Sequence, residues 1–200
     1  MIAVIDYGAG NLHSVKNALD YLGAKSVITS SSDEILNADK VILPGVGSFG
    51  DAMRRLEEKN LIDSVKRAAD GTKPFLGICL GLQLLFEASE ESPGVEGLGI
   101  FKGSVVRIPE HGLKIPHMGW NNISLAKDSR ILPGNKPYVY FVHSYYIKAE
   151  DKSDVSAYTE YGESLDVAVE RGNVFATQFH PEKSGKVGLD ILKRFLDLKG

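Results

Sequence analysis

The chain holds one cysteine, no long apolar run and no surplus of positive charge, and each shortage removes a class of explanation. A lone thiol cannot close an internal disulfide, which agrees with a reducing compartment and leaves Cys79 free for other chemistry. No stretch approaches the ~20 apolar residues that a membrane-spanning helix needs. The start, Met1-Ile2-Ala3-Val4-Ile5, reads as a strand and not as a basic leader ahead of an apolar segment, so a cytoplasmic location is expected. A net charge of -3, with neither a Lys/Arg block nor an interleaved aromatic platform, argues against nucleic acid as a partner. His, Cys and carboxylate residues are nowhere clustered at metal-ligand spacing, so no metal is expected.

What remains is globular material of 200 residues, 43% hydrophobic and 24% charged, enough for one substantial core and read as one domain over residues 1–200. In the first half, short Val/Ile/Leu runs at 2–5, 26–29, 40–43 and 74–78 alternate with helical patterns, the arrangement of parallel strands covered on both faces. Leu12, Val15, Leu19 and Leu22 repeat at helical spacing, and Gly23 stands where a left-handed cap belongs. Met53, Leu56, Leu61, Ile62 and Val65 predict one or two more helices, and Leu80 to Phe86 a buried one, apolar nearly all round. Beyond Pro93-Gly94 the texture changes to short strands near 103–108, 138–142, 155–159, 166–170 and 173–178, which predicts antiparallel sheet. A closing helix is expected from near Ser184, carried by Val187, Leu189, Ile191, Leu192, Phe195 and Leu196.

Two segments carry chemistry. Gly77-Ile78-Cys79-Leu80-Gly81 places the cysteine where a strand turns sharply into a helix, with flanking glycines that keep Cβ atoms out of the bend. Such a turn holds the thiol up to solvent at a helix N-terminus, among unpaired N–H groups that suit an anion. A hundred residues later His180-Pro181-Glu182 supplies an imidazole and a carboxylate. Proline pushes His180 toward extended backbone, where residues i and i+2 project to one side, so Glu182 orients the ring and His180 moves the proton. Pro44-Gly45-Val46-Gly47-Ser48-Phe49-Gly50 is a glycine-rich turn after a strand, suited to aim N–H groups at developing negative charge, with the Leu80 N–H as a second donor.

Other features read more plainly. Gly8-Ala9-Gly10 lacks the third glycine and the acidic residue of a dinucleotide loop, and the Pro44 loop lacks the Gly-Lys-Ser/Thr ending of a phosphate loop. Glu87-Ala88-Ser89-Glu90-Glu91 reads as a solvated helix end. His13 and His111 have no neighbours suggesting catalysis; His117 and His143 are as readily structural as functional.

Taken together, Gly77 to Gly81 with Gln83, the Pro44-Gly45-Val46-Gly47 loop and His180-Pro181-Glu182 resemble the class I (triad) glutamine amidotransferase family, over essentially the whole chain. Asp6 to Leu12, Pro116-His117-Met118-Gly119-Trp120-Asn121 and Phe141-Val142-His143-Ser144-Tyr145 are similar to the branch that supplies the glutaminase subunit of imidazole glycerol phosphate synthase, in histidine biosynthesis. The resemblance implies a three-layer, flavodoxin-like α/β fold with a mostly parallel central sheet and an extra antiparallel region in the C-terminal half. It implies hydrolysis of L-glutamine to glutamate and ammonia through a Cys79 thioester, with no cofactor. Gly47, Leu80 and the Val46 peptide would form the oxyanion hole, that peptide reorienting to complete it. Gly45, Gln83, Glu91, Ser144 and Tyr145 would hold glutamine, with Glu91 on its ammonium group. The implied partner is a (β/α)8-barrel cyclase subunit, docked as a heterodimer near Asn11, Trp120, Tyr140 and Lys183. It would use the ammonia to make imidazole glycerol phosphate and an aminoimidazole carboxamide ribonucleotide. Open alternatives are a glutaminase subunit of another synthase, such as that of pyridoxal phosphate, a non-catalytic regulatory subunit, and a cysteine hydrolase acting on peptides.

Overall fold

The protein is represented by a computed structural model, which describes residues 1–199. In chain order the first half runs β1 (Ile2–Ile5), α1 (Leu12–Tyr21), β2 (Ser26–Thr29), α2 (Ser32–Asn37), β3 (Lys40–Gly45), α3 (Phe49–Glu58), α4 (Ile62–Ala68) and β4 (Phe75–Cys79). After α5 (Leu80–Leu84) and β5 (Ala88–Ser89) come β6 (Gly103–Arg107), β7 (His117–Asn122), β8 (Ser124–Leu125), β9 (Tyr138–His143) and β10 (Tyr145–Ala149). After a 3-10 turn at Lys152–Asp154 the chain finishes with β11 (Val155–Tyr161), β12 (Glu163–Arg171), β13 (Val174–Thr177), a second 3-10 turn at Pro181–Lys183 and α6 (Gly185–Asp197).

The main sheet runs β2-β1-β3-β4-β13-β12-β10-β6-β5. Its first five strands are mutually parallel, and from β12 onward the pairing turns antiparallel through β10 and β6. The mixed architecture expected from the sequence is therefore present. The physical basis is alternation on strands buried on both faces. In β1, Ala3 and Ile5 enter one apolar cluster with Ile35, Met53, Leu56 and Val65 of α2, α3 and α4, while Ile2 and Val4 enter a second with Val15, Leu19, Ile191 and Phe195 of α1 and α6. Helices therefore cover both sides, and the loops at the carboxyl ends of the parallel strands are left to carry function.

Several elements lie outside the sequence expectation. α2 is one such element, a six-residue helix whose start is set by Ser31, its hydroxyl accepting from the Glu34 N–H at 3.4 Å. The helix expected over 80–86 stops at Leu84, although all five of its residues are buried as expected. β7 and β9 pair in register from His117↔His143 to Asn122↔Tyr138 as a separate two-stranded sheet. One face of this ribbon buries His117, Val139, Phe141 and His143; the other exposes Met118, Trp120 and Tyr138 at 62%, 56% and 58%. None of the described helices is long and apolar enough to cross a membrane.

Candidate active site

Three parallel strands deliver the site from their carboxyl ends: β3 leads into the Gly45–Ser48 loop, β4 ends at Cys79, and β13 runs on to His180. Cys79 sits at φ 56°, ψ -109°, a region that a side chain adopts only when its surroundings compel it. The compulsion is local: α5 packs so closely under β3 that a Cβ on Gly81 would lie 1.9 Å from the Leu43 carbonyl oxygen, and one on Gly77 2.9 Å from that of Gly81. The expected elbow is thus formed, with one correction. The thiol is not held up to solvent; Cys79 is only 7% exposed and lies in the wall of a cavity of about 430 Å³.

His180 lines the same cavity. Its Nδ1 is 2.8 Å from Glu182 Oε1, and both side chains are 1% exposed. The route to this contact differs from the extended-chain argument, since Glu182 belongs to the 3-10 turn that Pro181 opens. Burial works against a charged ring, but Cys79 and Glu182 outweigh it and raise the His180 pKa from 6.5 to about 9. Glu182 acts through its 2.8 Å contact; Cys79 acts as a close polar neighbour, because Nε2 is buried without a partner of full hydrogen-bonding geometry. An unpaired buried nitrogen is costly in a structural histidine and useful in one that must exchange a proton.

Of the other expected residues, Val46, Gly47, Leu80, Gln83, Glu91, Ser144 and Tyr145 all line the cavity. Gly45 does not; it is buried beneath, where a Cβ would press on the Tyr7 hydroxyl at 2.6 Å and Leu80 Cβ at 2.9 Å. Gly47 has φ +103°, a conformation that leaves its peptide to glycine. Leu80 opens α5, so its N–H has no acceptor within the helix. Gln83 donates from Nε2 to the Tyr145 carbonyl at 3.1 Å and to Gln178 Oε1 at 3.0 Å, which commits both amide hydrogens and leaves Oε1 for a ligand.

The acidic run at 87–91 is not a solvated helix end. Glu87, Glu90 and Glu91 each accept from a backbone N–H, of Gly103, Arg107 and Phe49 respectively, at 2.9, 2.8 and 2.7 Å. The last contact anchors Glu91 at the start of α3 with its second oxygen unbonded in the cavity wall.

Of the four expected docking residues, Trp120, Tyr140 and Lys183 lie together at the outer face of the ribbon. Trp120 and Tyr140 are cross-strand partners with ring centroids 6.1 Å apart, and Lys183 Nζ lies 6.0 Å from the Tyr140 ring. Asn11 precedes the first turn of α1, which packs against the Pro181–Lys183 turn. Two residues escaped sequence reasoning. Gln178 is fully buried and donates from Nε2 to Cys79 Sγ at 3.7 Å. Tyr7 is also fully buried with an unpartnered hydroxyl, and burial, reinforced by Cys79, raises its pKa and keeps the phenol protonated. Only tertiary packing brings either to the site. Among the described residues, no group of three His, Cys, Asp or Glu side chains is gathered as metal ligands would be.

A cysteine on a strand-to-helix elbow, a histidine paired with a carboxylate and an N–H-rich loop around one cavity suit the cleavage of an amide. Residues 3–198 match the family described as glutamine amidotransferase class-I, and the chain belongs to that family. Within it, the chain is 53% identical over 197 residues to imidazole glycerol phosphate synthase subunit HisH of Caldanaerobacter subterraneus subsp. tengcongensis, covering 98% of this chain and 97% of that protein. It is 52% identical to the HisH subunit of Methanothermobacter thermautotrophicus, covering 99% and 98%. Among solved structures, PurLQS from Thermotoga maritima superposes with a TM-score of 0.78 at 22% identity, covering 98% and 97%, which bears on the fold alone.

Proposed function

We propose that Cys79, His180 and Glu182 are the working triad with which this chain acts as the glutaminase subunit of an imidazole glycerol phosphate synthase, in histidine biosynthesis. The observation that carries this reading is the shared cavity. A buried sulfur on a strained elbow and an unpaired imidazole nitrogen face one chamber, while the ring's other nitrogen is held by Glu182.

The Cys79 thiol proton passes to His180 Nε2; the thiolate sulfur attacks the side-chain carbonyl carbon of glutamine, and the carbonyl electrons move to oxygen, where the N–H groups of Gly47 and Leu80 stabilise the charge. The Val46 peptide reorients to complete that hole. Collapse of the adduct breaks the C–N bond, and the departing nitrogen takes the proton that His180 carries, leaving as ammonia. Water, deprotonated by the now neutral ring, then cleaves the thioester to glutamate and restores the thiol. The unbonded oxygen of Glu91 suits the substrate's α-ammonium group, and Gln83 Oε1, with Ser144 and Tyr145, completes the binding wall; Gly45, beneath it, lets Leu80 and Tyr7 pack close.

The partner is a (β/α)8-barrel cyclase subunit that receives ammonia and docks on the Trp120–Tyr140 face. Support comes from the exposed aromatic ribbon and from its attachment to the triad: the Tyr140 carbonyl accepts from the His180 N–H and its own N–H donates to Ser184 Oγ, each at 3.0 Å. Engagement of Tyr140 therefore acts on the strand that holds the triad turn.

The test is glutamate release from glutamine by the chain alone and with a cyclase subunit carrying its nucleotide ligand, comparing wild type with Cys79→Ala. Turnover confined to the wild-type complex is expected. Turnover by Cys79→Ala would remove the thioester route, and its absence from every combination would leave a non-catalytic docking subunit as the better account.

A further inference from the structure

Between the docking ribbon and the thiol lies a line of buried polar groups that the triad does not use. His143 Nδ1 is 2.9 Å from the Tyr145 carbonyl oxygen, which can only accept, so Nδ1 carries the hydrogen. In a neutral ring Nε2 is then an acceptor, and its partner at 2.9 Å, His117 Nδ1, must donate. That leaves His117 Nε2 to accept from Asn121 Nδ2 at 3.3 Å. Asn121 is itself oriented, since Nδ2 also donates to the Glu160 carbonyl at 3.0 Å and Oδ1 accepts from the Asn122 N–H at 2.8 Å. At the other end, the Tyr145 carbonyl accepts a second bond from Gln83, which donates to Gln178, which donates to Cys79 Sγ.

We propose that this hydrogen-bonded line, in which the arm from Asn121 through His117 and His143 fixes the Tyr145 carbonyl that Gln83 also grips while Gln83 leads on through Gln178, positions the Cys79 sulfur for attack, with His117, His143 and Gln178 as positioning residues. The proposal rests on Cys79 being the nucleophile of the glutaminase reaction. The Tyr145 carbonyl can only accept, so the tautomers of both histidines are determined; the line has two arms, one donated from Asn121 through His117 and His143 and one from Gln83, and they meet on that carbonyl. His117, His143, Gln83 and Gln178 are 6% exposed or less, so a partner lost from the line is costly to leave unreplaced. Burial keeps both histidines neutral by lowering their pKa values to about 4 and about 3. A proton added to His143 Nε2 would turn the His117 ring to its other tautomer and set two donors face to face at Asn121. The line begins on the inner face of β7, whose outer face presents Met118 and Trp120, so movement of the ribbon is felt at the thiol.

Substitutions at His117 separate positioning from packing, because asparagine places its amide nitrogen near the former Nδ1, glutamine near the former Nε2, and phenylalanine keeps a ring stacked on Phe141 and Tyr161 without nitrogen. Two readouts apply: glutamine turnover in the cyclase complex, and the rate at which iodoacetamide alkylates Cys79 in the chain alone. His117→Phe and His117→Gln should lower kcat and slow alkylation about tenfold, the equivalent of one lost buried hydrogen bond, with KM little moved. His117→Asn should recover to within about threefold on the same scale. Equal kcat and alkylation in all four proteins, or no advantage of Asn over Gln, would overturn the proposal. Should these variants fail to fold, Gln178→Glu decides: it still accepts from Gln83 but offers the sulfur no donor, and unchanged alkylation would refute the chain. A wild-type complex that releases no glutamate would instead sink the glutaminase reading, with the alkylation arm still deciding the chain.

Discussion

Acid should unfold this protein in part through two histidines that burial holds neutral. His117 is 3% and His143 6% exposed. Burial lowers their pKa values to about 4 and about 3; in His143 donation to the Tyr145 carbonyl opposes the shift, and the neighbouring rings of His117 and His180 add to it. In the unfolded chain both titrate near 6.5. Between pH 6.5 and about 4 the unfolded state therefore binds two protons that the native state does not, and stability is lost as pH falls. Each proton contributes ~1.4 kcal/mol per pH unit, so the pair sets a slope of roughly 2.7 kcal/mol per unit near pH 5.5. His180 is silent in this window: with its folded pKa raised to about 9 it is protonated in both states, and its own contribution is full below 6.5 and lost as pH rises through 9. The comparison is wild type against His117→Phe combined with His143→Asn, which keeps a donor toward Tyr145. Denaturant titrations from pH 5 to 6.5 should show a wild-type slope steeper by about that amount, carboxylates being common to both. Equal slopes would mean that the native pair takes up protons freely, and the argument from burial would be wrong.

Three further outcomes are expected. Gly81→Ala should abolish soluble expression or cost more than about 4 kcal/mol, because its Cβ would lie 1.9 Å from a backbone carbonyl that cannot turn aside; an unchanged melting temperature would contradict the packing described. Glu182→Gln should lower the His180 pKa, narrow the pH range over which stability declines above 6.5, and cut kcat about 100-fold or more, read by NMR titration of the ring and by glutamate release. Trp120→Ala should change stability by less than about 1 kcal/mol, since the side chain is 56% exposed, while weakening assembly with the cyclase subunit about 30-fold in a calorimetric titration; full affinity would remove it from the docking face.

Local chemistry explains which parts could be read in advance. β1 and β2 were legible to the residue because short apolar and β-branched stretches, Ile2-Ala3-Val4-Ile5 and Val27-Ile28-Thr29, alternate with a helical period. The elbow was legible because glycines on both sides of a lone cysteine serve a bend that only small residues permit. α2 escaped because Ser-Asp-Glu-Ile-Leu-Asn offers one buried residue, Ile35, and no period. β7 escaped because His-Met-Gly-Trp-Asn-Asn lacks β-branched residues and holds its shape through pairing with β9. The glutamates at 87–91 were misread since nothing local says that their acceptors would meet N–H groups of Gly103, Arg107 and Phe49.

The sequence by itself determined the chemical parts: one thiol on a bend, an imidazole with its carboxylate two residues on, and an N–H-rich loop after a strand. These are short-range properties of spacing and backbone permission. Only the tertiary structure decided that the thiol is buried in a cavity wall, that Gln178 reaches the sulfur across 99 residues, and that His117 and His143 pair on the inner face of the ribbon and fix each other's tautomers. Those groups come from segments distant in the chain, and at the histidine pair the hydrogen-bond sense is settled by the Tyr145 carbonyl, which can only accept and so fixes which nitrogen carries the hydrogen.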